Sequence, residues 1–222
     1  MENKTVKYKI NMRDRLRKIP FGVYKMLFNI YAAELPEKLN KSKTKWNDNG
    51  LNVIVIRCND IYVTNDMKRN NDWMILFHKG LKYIFQCTAD PKQRKNRIAN
   101  LCEQVYFGNI RPHKWIRWRT CIAQDKCKLW VHRFTNRTDF YNDFGHFGIN
   151  IHNPAKYFNS SLGCVILAYE KRYTDVFKPL LLSVENKNNI PVAVMNISWL
   201  ERKAEAYNGI DIKNPNSNKA IC

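Results

Sequence analysis

No apolar run in this 222-residue chain approaches the roughly 20 residues that a membrane-crossing helix requires, so no transmembrane segment is expected. The apolar stretch from Phe21 to Ala33 is broken by Lys25 and Asn29 and ends without a small-residue cleavage pattern. That argues against a secretory signal peptide, and synthesis in the cytoplasm is expected. The seven cysteines are odd in number and lack the tight spacing of a disulfide framework, which fits a reducing compartment better than a stapled scaffold. A zinc site would need a set such as Cys121, Cys127 and His132, whose spacing lacks the usual short Cys-x2-4-Cys loop, so no metal is expected. Acids are scarce as well. Nineteen Asp and Glu face 38 Lys and Arg, leaving a formal charge of +19. A field of that sign attracts polyanions, including nucleic acid, anionic membranes and acidic cell-wall polymers, without choosing among them.

What is present supports a folded protein. Hydrophobic residues make up 45% and aromatics 13%, enough for a sizeable core. Residues 1–47 read as a basic helical appendage, with Phe21, Val23, Leu27, Ile30 and Tyr31 near one helical face that can pack on the main domain. The turn-rich Trp46-Asn-Asp-Asn-Gly50 closes it. From residue 48 to 200 short β-branched and aromatic runs follow one another: 51–57, 60–64, 73–77, 81–86, 115–118, 127–134, 148–152 and 162–168. A helix is expected near 174–185 and a last strand over 190–199, with Pro191 at the strand's own edge. Residues 201–222 read as a loose polar tail. The expected class is mostly β (α+β), a β-sandwich or mixed sheet with a few helices.

The sharpest chemical feature is Gly148-Ile-Asn-Ile-His152 followed twelve residues later by Cys164, within Ser161-Leu-Gly-Cys164. A thiol attacks as its thiolate, and a neighbouring imidazole can hold the proton. Gly163 allows a tight bend before the nucleophile, and its amide with that of Cys164 can face an oxyanion. A buried structural cysteine beside an incidental histidine is the competing interpretation of the same residues.

The stretch resembles the L,D-transpeptidase catalytic family, whose motif runs from a histidine through a variable loop to Ser/Thr-His-Gly-Cys. His152, Ser161, Gly163 and Cys164 match it, while Leu162 stands at the second histidine. It is similar also to a compact variant of phages and gut bacteria, through Asn49-Gly-Leu-Asn-Val-Ile-Val-Ile-Arg57, Thr88-Ala-Asp-Pro91, Arg133-Phe-Thr-Asn-Arg137 and the two motifs above, in that order. The resemblance spans about residues 47–200. It implies a Cys164 nucleophile with His152 as base, acting on peptidoglycan stem peptides by acyl transfer or hydrolysis, with no cofactor. A backbone carbonyl at or near Asn153 would orient the histidine. Asn153, Ser161, His113 and Arg119 are the candidate substrate-binding residues, although His113 and Arg119 also read as part of a solvated basic strand.

Two readings from other classes stay open. Residues 111–133 interleave Arg and Lys with Trp115, Trp118 and Trp130, a composition suited to nucleic acid, though no helix-turn-helix, zinc-finger or RRM signature accompanies it. The chain also fits a phage structural or cargo protein carrying an inactive transpeptidase-like fold. A phage enzyme would reach the wall on the virion or after release.

Overall fold

The run Asn52-Val-Ile-Val-Ile-Arg57 is apolar on both sides of its pleat, and the fold uses both. Val53 and Val55 point into one core, whereas Ile54 and Ile56 point into a second. Such a strand needs cover on each face. The computed structural model describes residues 12–40, 42–58, 71–89, 99–113, 119–124, 126–135, 139–153 and 163–208. Among them the strands are β1 (Asn52–Arg57), β2 (Asp72–His78), β3 (Leu81–Thr88), β4 (Ala99–Leu101), β5 (Gln104–Pro112), β6 (Thr120–Gln124), β7 (Leu129–Phe134), β8 (Phe140–Gly145), β9 (Asn150–His152), β10 (Val165–Leu167) and β11 (Ile190–Asn196).

Eight of these close into a mixed barrel in the order β1-β11-β5-β6-β9-β10-β3-β2, and β4-β7-β8 form a separate antiparallel sheet. Two barrel pairs are parallel, β1 with β11 and β9 with β10. The second of these pairs carries the candidate site. The barrel's inward residues share a core with Leu129 and Val131 of the small sheet and with Phe177 and Leu181 of a helical segment. That segment runs from α3 (Glu170–Arg172) through a π-helical turn (Tyr173–Phe177) into α4 (Lys178–Ser183).

The second core lies on the outer face of the β1, β2 and β11 region. It is covered by a helix over 12–18 (α1), by α2 (Phe21–Glu34) and by α5 (Ile197–Asn208). Tyr24 and Phe28 are fully buried there, and each such side chain contributes about 1.5–3 kcal/mol relative to exposure. The Tyr31 hydroxyl donates to the Val194 carbonyl at 2.7 Å, tying α2 to the barrel. The N-terminal helices are thus an integral wall of the domain. No helix among the described residues is long and apolar enough to cross a membrane.

Two sequence expectations are corrected. The strand expected over 190–199 ends at Asn196, and Ile197-Ser-Trp-Leu200 begins α5. Residues 201–208 are therefore helix, with Leu200 and Ala204 fully buried. Their sparse apolar positions sit on one helical face among charged neighbours, which hides the pattern in a linear reading. Pro191 stands at the start of β11, as expected, and that strand is central, pairing on both sides. The missing donor is tolerated there because β1 pairing begins only at Val192. The strands expected at 60–64 and 115–118 lie outside the described residues.

Candidate active site

β9 is short and alternating, and β10 lies beside it in parallel with Val165 opposite Ile151 and Ile166 opposite His152. Cys164 directly precedes β10, so this register sets it beside Asn150, two positions short of His152. At the usual strand spacing and rise the two Cα atoms lie roughly 8 Å apart, a span that an imidazole, a thiol and one hydrogen bond can bridge. The Asn150 amide donates to Cys164 Sγ at 3.4 Å. The sulfur thus occupies the place where a ladder carbonyl would otherwise accept. Cys164 is half-buried, which leaves the thiol accessible.

Gly163 takes φ +137, and a Cβ added there would meet the Ala99 carbonyl oxygen at 2.7 Å. Only glycine lets the chain pass this close to β4 and turn into β10. Its requirement is steric, set by the backbone of another strand.

His152 Nδ1 lies 2.6 Å from the Asn153 carbonyl oxygen. A carbonyl can only accept, so Nδ1 carries the hydrogen and Nε2 keeps its lone pair for a proton. Burial pushes the His152 pKa down to about 4; the Asn153 carbonyl opposes this, while the charges of His113 and Arg119 add to it. The imidazole is accordingly neutral at pH 7. In that form it is suited to accept a proton, and it is not half of a standing thiolate–imidazolium pair. Asn153 is itself fully buried, and its side-chain amide donates to both oxygens of Glu170 at 3.0 and 3.2 Å. The α3 carboxylate thereby fixes the residue that orients His152.

His113 and Arg119 are brought to the same place. The His113 ring meets His152 edge-on at 4.9 Å between centroids, and the His113 amide donates to the Arg119 carbonyl at 2.7 Å. Both are buried, at 8% and 5% exposure, which sets aside the solvated-strand interpretation for these two side chains. Arg119 supplies a positive charge next to the imidazole, suited to a substrate carboxylate or a developing oxyanion. Ser161 lies outside the described residues.

Two contributors were not apparent from the sequence. The Gln124 side chain accepts from the Phe147 and Gly148 amides at 2.9 Å each and donates to the Cys127 and Gly145 carbonyls at 2.9 and 3.0 Å. It holds the approach to β9 in place. Glu170 has no motif around it and reaches the site only through the fold. Among the described residues no His, Cys, Asp and Glu cluster is arranged to hold a metal ion. The cavity of about 570 Å³ lined by Leu167 and Tyr169 opens beyond the far end of β10, away from Cys164. The chemistry is therefore placed by the strands, and that cavity is a separate feature. Comparison with known proteins finds no matching family model and no matching curated protein.

Proposed function

We propose that this chain is a cysteine acyl-transfer enzyme of L,D-transpeptidase-like fold that acts on peptidoglycan stem peptides. The observation that supports the reading is the pairing of β9 with β10, whose register puts Cys164 next to Asn150, two positions along the strand from a histidine oriented by a backbone carbonyl. The Cys164 thiol gives its proton to His152 Nε2 as the C–S bond to a peptide carbonyl forms. The tetrahedral oxyanion then collapses, the C–N bond breaks, and the imidazolium returns the proton to the leaving amine. A second amine or a water resolves the thioester, giving transfer or hydrolysis. Arg119 and His113 border the imidazole on the side where a substrate carboxylate is recognised.

The test is incubation with purified peptidoglycan sacculi, chromatography of the released or cross-linked muropeptides, and intact-mass search for an acyl adduct. The expected result is a product that disappears in Cys164→Ser and falls at least 100-fold in His152→Ala, with an adduct mapped to Cys164. Absence of both product and adduct, or product formation unchanged in Cys164→Ser, overturns the reading.

One observation favours a second reading, single-stranded nucleic acid. Trp130 and Phe144 lie side by side on the small sheet at 4.9 Å, with Lys38 over the Trp130 ring and Lys128 over the Phe144 ring. Bases stack on such a platform while lysines neutralise phosphate. Salt-dependent RNA binding that survives Cys164→Ser but fails in Trp130→Ala would mark this face as the functional one.

A further inference from the structure

Three arginines meet where α1 faces the segment after β10. Arg13 and Arg17 come from α1 and Arg172 from α3, and all three line a cavity of about 570 Å³ floored by Trp73, Phe85 and Leu167. A space of that size suits a small ligand. The arginines are placed by specific contacts. Lys82 holds the carboxyl end of α1 through the carbonyls of Leu16, Arg17 and Ile19, fixing the helix that carries two of them. Arg172 donates to the Ile84 carbonyl at 3.4 Å and stacks over the Phe85 ring at 5.2 Å.

Their charge is incompletely balanced. Asp14 is the one acid on the lining, and it is engaged by Arg17 at 3.7 Å. Arg13 is half-buried and makes no hydrogen bond or ion pair among the described residues. Burial lowers the Arg13 pKa, and Arg17 and Arg172 lower it further against a weaker opposing effect of Asp14. Three guanidinium groups with one carboxylate leave two positive charges in excess around an apolar floor.

We propose that this cavity binds a phosphate monoester, with the arginine forks holding the phosphate and the apolar floor receiving the organic group. A phosphate monoester carries close to two negative charges at pH 7, which matches the excess. Its oxygens suit the paired N–H donors of guanidinium. A monocarboxylate supplies half that charge. The site is distinct from the thiol, since Leu167 lies three residues beyond Cys164 along β10, roughly 10 Å away.

Isothermal titration of the full chain in 0.15 M NaCl with phenyl phosphate, inorganic phosphate and benzoate tests this. Phenyl phosphate should bind at one saturable site, at least tenfold more tightly than either other probe. Arg13→Gln should weaken it at least tenfold, and Arg172→Gln should do the same. Lys187→Gln, which removes one exposed charge elsewhere, should change it less than twofold. Arg13 contributes no hydrogen bond to the described fold, so Arg13→Gln should keep the wild-type melting temperature. Lack of saturation below 10 mM, benzoate binding as tightly as phenyl phosphate, or equal loss in Arg13→Gln and Lys187→Gln each overturns the proposal. None of these readouts depends on Cys164 chemistry.

Discussion

Replacing Gly163 by alanine should destabilise the protein more than any other single-methyl addition at a described glycine with positive φ. Two penalties combine at that position. The backbone sits at φ +137, a region in which a side chain costs about 1–3 kcal/mol. The new Cβ would also lie 2.7 Å from the Ala99 carbonyl oxygen and 3.2 Å from the Ala99 Cβ. Both belong to a paired strand that cannot rotate away, and such overpacking adds about 1–3 kcal/mol. A central value of about 4 kcal/mol corresponds to a melting temperature lower by about 8–16 °C for a chain of this size. Gly148→Ala is the matched control, since its φ is +67 but its Cβ would meet nothing within 4 Å. It should cost only the left-handed strain of about 1–2 kcal/mol. Gly22→Ala, in α2 with open space around it, should be neutral or stabilising by up to about 1 kcal/mol. Calorimetric melts of the three variants, with urea titrations to confirm the order, measure this directly. If Gly163→Ala melts within 3 °C of wild type, or no lower than Gly148→Ala, the close approach to β4 is not what demands glycine. Because Gly163 also sets the position of the thiol, the same variant should lose the Cys164-dependent product.

His152 has a folded pKa of about 4 against an ordinary 6.5, so between those values the unfolded chain binds a proton that the folded chain refuses. Stability should be complete above about pH 6.5 and fall by about 3 kcal/mol as pH drops towards 4. Burial lowers His78 and His113 as well, so the readout is the difference between wild type and His152→Gln in urea unfolding at pH 7 and 4.5; equal losses refute the assignment. Gln124→Leu strips partners from three amides and two carbonyls beneath β9 and should cost about 3 kcal/mol, and a loss below 1 kcal/mol would show that water replaces the side chain. Burial pushes Cys102 and Cys121 up to about 12, so iodoacetamide at pH 8 should leave both unmodified when half-buried Cys164 is fully labelled. Early labelling of either in a peptide map contradicts their burial.

Much of the architecture is legible in the residues themselves. The hairpin of β2 and β3 about Lys79-Gly80 follows from two apolar runs and a turn, and both turn residues take positive φ as such a turn demands. The amphipathic face of α2 announces that it packs on something, and the Gly148 to His152 and Gly163-Cys164 motifs fall on or next to two strands that pair, β9 and β10. These features rest on local periodicity and turn chemistry, which act over a few residues. Closure was not legible. Whether the runs form a sandwich or a barrel depends on which edges meet across long separations, and that is settled by strand pairing rather than by any one strand. For the same reason the central place of β11 in the barrel is not legible, and the helix over 201–208 reads as tail because its buried face is narrow. The site divides along the same line. Chemical type and spacing left Cys164 and His152 open to a structural interpretation and the resemblance of the surrounding motifs nominated them, but Glu170 behind Asn153, Gln124 beneath β9 and the burial of Arg119 arise only when distant segments converge. Hydrogen-bond partners and desolvation are properties of neighbours in space, and the chain order does not contain them until the barrel closes.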